Sequence, residues 1–320
     1  ALSAALAALE EGSDVLVIEK APEHARGGNT YYTGGAIRFA YSGIDDVLSL
    51  VPDLSESEMK TLEVGEYNES KYFDDLMRVT EGLSDQEMAN HLVRNSLPIM
   101  RWICGQGVRL VPSWSHQAFK VEGKYRFWGG LCLEAVGGGK GLSDQLFDIA
   151  LKKGVRILYS TAATRLIVGD DGTVIGVVAK GPDGYRELFA RGIVLACGGF
   201  EANPEMRAKY LGAGWDLVKV RGVRYNTGDG IKMALDIGAQ PFGHWQGCHA
   251  VAWDLNAPQF GNRVITDLYQ KHSYPFGIIV NAEGKRFVDE GADFRNYTYA
   301  KYGKEILNQP FRVAYQLFDR

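Results

Sequence analysis

Residues 1–20 read ALSAALAALEEGSDVLVIEK, and this stretch decides the fold class. Ala1 to Glu11 is a run rich in Ala and Leu, the residues with the highest helix propensity. Gly12 closes the run, as glycine does at helix C-termini. Asp14 to Ile18, DVLVI, is a short apolar segment of strand length, and Glu19 stands at its tip. Helix, buried strand and acid at the strand end are the second half of a dinucleotide-binding unit, whose first half is a strand and a Gly-rich turn. That first strand is the centre of such a sheet. The expectation is therefore a Rossmann-like α/β unit in a chain cut short at its N-terminus.

Further along, residues 27–35, GGNTYYTGG, form a Gly-rich loop, and residues 42–70 look polar and irregular. Helical patterns run over 72–78 and 85–105. GGGKG at 137–141 precedes a helix expected over 142–153, and 155–159 is a strand. Three strands, 164–168, 174–180 and 185–190, are separated by Asp171-Gly172 and Asp183-Gly184, which makes a β-meander. Ile193 to Cys197 is read as a further apolar strand ending in Gly198-Gly199. NTGDG at 226–230 opens a helix. From about Pro241 the chain becomes aromatic and irregular, so the boundary is placed there: residues 1–241 as one domain, 242–320 as a second.

The glycines and acids suggest a ligand. A carboxylate at Glu19 can accept both hydroxyls of an adenosine ribose. Glycine amides at Gly27 and Gly28 can approach a pyrophosphate without a Cβ in the way. Gly198 and Gly199 put bare backbone at a strand's C-terminal edge, where ligands sit in open α/β sheets. Asp229 can hold a ribityl hydroxyl or serve only as an N-cap. Taken singly, a plain turn or a solvated acid explains each of them.

Their order along the chain is more specific. EKAPEHARGGNTYYTGGAIR (19–38), GGGKGLSDQLFDIALKKGV (137–155), VLACGGFEANPEM (194–206), NTGDGIKMALDIGA (226–239) and GIIVNAEGKRFVDEGADFRNYTYA (277–300) resemble the FAD-dependent fumarate reductase and succinate dehydrogenase flavoproteins, with FAD-dependent tricarballylate dehydrogenase as the nearest likeness. The resemblance implies an FAD-binding domain with a β-meander, plus an α+β capping domain, truncated at both ends. It also implies a cofactor site at Glu19, Lys20, Gly27, Gly28, Asn29, Thr30, Thr33, Gly34, Gly35, Ala162, Ala196, Gly198, Gly199, Asn203, Thr227, Gly228 and Asp229. No His stands in 29–35, so the implied FAD is non-covalent.

The chemistry that the resemblance implies is oxidation or reduction of a carbon–carbon bond beside a carboxylate. Removing a proton from that carbon needs cationic donors on the carboxylate, and the planar fork of Arg suits this task. The family's proton-transfer Arg follows GKRFVDE (284–290), which assigns it to Arg295; the carboxylate-binding His is assigned to His249, with His244 as the alternative. A guanidinium titrates above about 12, so it needs a relay, for which Asp289, Glu290 and Asp293 are near in sequence. His116, Arg126 and Glu290 are further substrate candidates, and Arg263, His272 and Arg38 weaker ones. The blander reading makes Arg295 a clamp or the partner of Glu290, and leaves His116 among core aromatics.

The implied partners are a small polycarboxylate and an unidentified electron acceptor. A net charge of -4, from 35 basic and 39 acidic residues, gives no basic footprint for nucleic acid. No apolar run reaches the ~18 residues of a membrane span. Four scattered cysteines without a CxxC pair read as reduced thiols of a cytoplasmic protein, not as a zinc site. Alternatives to tricarballylate oxidation are a fumarate reductase-like or ketosteroid dehydrogenase-like enzyme, or a non-catalytic dinucleotide-binding protein.

Overall fold

The computed structural model describes residues 1–114, 117–127 and 129–319. The Ala/Leu run forms the helix Leu2–Glu10, which turns Ala5 and Leu6 into the core. After it, Leu16–Ile18 pairs in parallel with Arg156–Leu158, Val17 opposite Ile157. Parallel neighbours need a crossover connection; here it carries the helix Gly138–Lys152, which packs on Leu2–Glu10. A second sheet sets Leu133–Ala135 between Ala36–Ile37 and Leu110–Pro112, all antiparallel. The main core lies between these layers, where Leu6, Phe39, Val47, Leu131, Leu133 and Ala150 are sealed from solvent. Burying each large apolar side chain of this kind stabilises by about 1.5–3 kcal/mol.

The meander forms as the turn signals predict: Ala162–Val168, Val174–Gly181 and Gly184–Phe189 make an antiparallel sheet with Val174–Gly181 in the middle. Beyond residue 241 the described chain is irregular as far as the strand Ile278–Asn281, which pairs with Ala314–Leu317. The helix Arg295–Leu307 lies between them in sequence, and Tyr274, Ile279 and Tyr302 form a separate small core. This is an α/β, Rossmann-like architecture with mixed sheets. Among the described residues no helix is long and apolar enough to cross a membrane.

Three expectations need correction. Residues 42–70 are not wholly irregular: they hold the short helices Ile44–Leu48 and Glu56–Thr61, the second started by a capping box of Ser55 and Glu58. Both are too short to show a helical period. The helix expected from Leu142 begins at Gly138. Its glycines are poor helix formers but permit contact with the 28–32 turn, because a Cβ on Gly139 would collide with backbone oxygens of Thr30 and Thr33. Ile193 to Cys197 is apolar and continuous, yet no strand is assigned there, and Val194 and Leu195 are 71% and 40% exposed. A strand exists only with a neighbour to bond to, and among the described residues none pairs with it.

Candidate functional site

Two adjoining regions gather the residues that matter. The first surrounds the strand end at Glu19. The Glu19 backbone N–H donates to Leu158 O at 2.8 Å, and Thr161 N–H donates to Glu19 O at 2.9 Å, bringing Ala162 beside the acid. The Glu19 carboxylate accepts from its own turn at Ala21 N, 2.7 Å away. The Lys20 ammonium crosses to the 225–229 loop, donating to Thr227 Oγ1 and Asp229 Oδ2, both at 2.6 Å, while Thr227 also donates to Asp229. Asn203 caps the helix Pro204–Leu211 and donates to Thr227 O. Gly228 N–H donates to Gly199 O, so the 198–203 and 225–229 loops interleave.

Gly228 is obligatory: its φ is +82° and a Cβ would sit 3.2 Å from that of Phe200 and nearer still to Met206. Gly28 has a positive φ with open space above it, and Ala196 and Gly198 are exposed. The result is a carboxylate at a strand tip, bare glycine backbone beside it and an unpaired stretch at 194–198. This set fits a dinucleotide: the acid suits ribose hydroxyls and the unobstructed amides suit a pyrophosphate.

The second region is a cavity of about 190 Å³ lined by Thr33, Gly34, Gly35, Ala36, Gln117, Arg221, His249, Asp267, Gln270, His272, Arg295, Asn296 and Tyr299. One wall is the Gly-rich loop. Its shape is held by Thr33, whose hydroxyl donates to Thr30 O and accepts from Gly35 N, and whose carbonyl accepts from Gly139 N. That loop is tied to distant chain: Asn29 Oδ1 accepts from Val223 N at 3.0 Å, Arg263 donates to Arg26 O, and the Arg263 guanidinium lies 3.6 Å from the Tyr31 ring centroid. The opposite wall begins at Arg295, the first residue of its helix. Tyr299, one helical turn on, meets His249 and His272 edge-on, at centroid separations of 5.1 and 4.8 Å.

Charge in the cavity is partly compensated. Arg221 pairs with Asp267 at 2.8 Å, both largely shielded from solvent. His249 is reachable from the cleft, but desolvation by its walls, with Arg221 adding to it, pushes its pKa down to about 4. At neutral pH it is a neutral imidazole with one N–H donor. Burial raises the Tyr299 phenol, which stays protonated and able to donate.

The structure therefore brings together Arg295, His249, Thr33, Gly34 and Gly35. It places other candidates elsewhere. Arg126 sits on the hairpin strand Lys124–Phe127 and pairs with Glu63 at 2.9 Å, outside the cavity lining. Glu290 is buried and accepts from Ile279 N and Arg286, so its carboxylate fastens a turn instead of facing substrate. Asp293 is taken by Arg78 and Asp289 by its own turn, so the relay expected from these three acids does not form. Arg38 donates to Gly129 O, and neither Arg38 nor His244 is among the lining residues. His116 lies outside the described residues. Arg221, Asp267 and Gln270 were not anticipated. Arg221 stands five residues before NTGDG and could have been flagged as a cation between cofactor motifs; Asp267 and Gln270 carry no local pattern.

The chain is similar to several known proteins. A probable fumarate reductase, Ifc3 of Shewanella frigidimarina, is 26% identical over 318 residues, 99% of this chain but 48% of its own length. The 3-oxosteroid 1-dehydrogenase of Mycobacterium tuberculosis is 34% identical over 178 residues, covering 53% of this chain and 30% of that protein. The open conformation of a flavocytochrome c3 fumarate reductase superposes with a TM-score of 0.70 at 24% identity, over 99% of this chain and 50% of that one. The chain thus spans about half the length of the fumarate reductases it matches. With residues 1–312 matched by the model of the FAD binding domain family, the chain belongs to that family.

Proposed function

We propose that the protein is an FAD-dependent oxidoreductase acting on a carbon–carbon bond next to a carboxylate. The observation that carries this reading is the cavity in which Arg295, Arg221, His249 and His272 face the Thr33–Gly35 wall of the cofactor loop. FAD, when bound, supplies the two-electron hydride chemistry. The chain's own residues bind, orient and handle the proton. The Arg221 and Arg295 guanidinium groups polarise the carboxylate, which acidifies the adjacent carbon. His249 and Tyr299 donate as neutral groups and fix the substrate's orientation. In the reducing direction the Arg295 guanidinium donates its proton to the substrate carbon and is reprotonated from solvent; in the oxidising direction the acceptor is its neutral guanidine, which passes the proton to solvent.

Within this class, tricarballylate oxidation to cis-aconitate is the specific reaction the sequence motifs suggest, and fumarate reduction is supported by the Shewanella relatives. A ketosteroid substrate is favoured by the 34% identity to the mycobacterial dehydrogenase. It is disfavoured by a lining of two arginines, two histidines and several amides, since a steroid calls for apolar walls. Residues from 242 onward act as the cap over the substrate in this reading, and an electron acceptor completes the cycle.

The test is flavin reduction by tricarballylate or a 3-ketosteroid, and reoxidation of reduced flavin by fumarate, in wild type and in Arg295→Ala and Arg295→Lys. Both variants should retain flavin and lose turnover by about 100- to 1000-fold, the scale of removing a transition-state donor. Substantial activity in both removes Arg295 from the mechanism, and a response to steroid alone removes the carboxylate reading. Denaturation should release the flavin; flavin that stays on the unfolded chain refutes non-covalent binding.

A further inference from the structure

The first turn of the helix Arg295–Leu307 is pinned by its neighbours in sequence and not by its caps, for its N-cap, Phe294, makes no side-chain capping bond. Asp293 is bonded by Arg78. Asn296 donates to Gln117. Tyr297 donates to Asp75 at 3.1 Å and lies under the Arg78 guanidinium, 4.2 Å from ring centroid to Cζ. Asp75 and Arg78 share the helix Glu69–Val79, which is amphipathic and capped by Asn68.

That helix is itself anchored. Asp75 also accepts from Tyr67 at 2.7 Å, and the Tyr67 ring lies 5.2 Å below the Arg38 guanidinium. Burial and the bond to Asp75 keep the Tyr67 proton in place, so it remains a donor. The Tyr297 hydroxyl fills the space a side chain at residue 129 would need: a Cβ on Gly129 would lie 2.7 Å from it, and φ there is +59°. The residues immediately around Arg295 are thus fastened to the helix Glu69–Val79, to Gln117 and against Gly129.

We infer that Asp75 and Arg78 are positioning residues for Arg295: they act as a latch that fixes the start of its helix against the body and aims its guanidinium into the cavity. This rests on the reading of Arg295 given above. Arg78 is 52% exposed at its side chain, so its loss leaves the core intact. It contributes both an ion pair and a planar cation over an aromatic face, a combination Lys reproduces only in part.

The experiment compares Arg78→Met, Tyr297→Phe and the double variant, with Arg78→Lys as the conservative rescue. Arg109→Met, which removes a surface pair with Asp53, serves as control. In flavin-loaded protein the double variant should lose about 10- to 100-fold in kcat, the effect of displacing a reacting group by about 1 Å. KM should move little, because Arg221 and the imidazoles still hold substrate. Arg78→Lys should recover part of the loss, and the flavin spectrum should be unchanged.

Hydrogen–deuterium exchange over 291–300 should rise in the double variant and not in the control. Unchanged exchange overturns the latch, as does a loss that falls on KM alone or appears equally in Arg109→Met. If wild type turns over no carboxylate, the reading of Arg295 fails, and the exchange result still decides the latch by itself.

Discussion

Gly139→Ala sets two physical effects against each other at a position where both can be sized. Gly139 is buried in the first turn of the helix Gly138–Lys152. Helix propensity alone favours alanine there by at most about 1 kcal/mol. Packing opposes it: the new Cβ would sit 2.5 Å from the Thr33 carbonyl oxygen, and closer still to Thr30 O and Thr33 Oγ1, where real Cβ atoms stay beyond 3.0 Å. Helix and loop must part: the nearest obstacle, Thr30 O at 2.2 Å, falls short of that limit by 0.8 Å, and two of the three obstacles are backbone, which yields little. Overpacking costs about 1–3 kcal/mol, and a clash this deep with backbone lies at the upper end, so the net change is a loss of about 2 kcal/mol. For a chain of 320 residues that corresponds to a Tm lower by about 3 °C.

The parting also breaks the Gly139 N–Thr33 O bond and deforms the cofactor loop, so FAD affinity should fall about tenfold, or 1.4 kcal/mol. Thermal unfolding and flavin titration measure both quantities. Gly105→Ala is the internal control: it is helical, exposed and has nothing within 4 Å of its Cβ, so propensity acts unopposed and stability should rise by up to about 1 kcal/mol. A Gly139→Ala protein as stable as wild type, with flavin affinity intact, would refute the packing argument.

Two further predictions concern charge. His249 should titrate near 4 and not near 6.5, followed by NMR of its imidazole ring in protein free of substrate; its folded pKa lies below its unfolded one, so its neutral form favours the fold above pH 6.5, and that advantage is lost as pH falls towards 4. A midpoint near 6.5 would mean that the cleft is wetter than its walls imply. Asp229→Asn should leave Tm almost unchanged, because the Lys20–Asp229 pair is over a third exposed on both sides and such pairs contribute less than about 1 kcal/mol, while flavin binding weakens. A large fall in Tm with unchanged flavin affinity would make the pair structural only.

What the sequence made legible follows the range of the interactions. The Ala/Leu helix, the DVLVI strand and the two Asp-Gly turns are decided by neighbours a few residues away, and each forms where its pattern lies. Arg295 and His249 were reachable through motifs, and they share the cavity. Arg221 and Asp267 were not, because their pairing is made by chain folding and neither sits in a local pattern. Glu290 shows the reverse failure: it belongs to a recognisable motif, but its carboxylate turns inward to Ile279 N and Arg286. Ile193 to Cys197 has strand composition without a partner, and composition cannot supply one.

The ties of the cofactor loop to distant chain have a consequence in time. Asn29 is held by Val223, 194 residues later, and Arg26 by Arg263, 237 residues later. A ribosome adds roughly 5–20 residues per second, so on the order of 10 to 50 s pass between emergence of the loop and emergence of the segments that shape it. For that interval GGNTYYTGG is a tether with no fixed form. Cofactor capture is therefore a late event in the life of the nascent chain, set by the arrival of Val223 and Arg263 and not by the completion of the helix and strand that precede the loop.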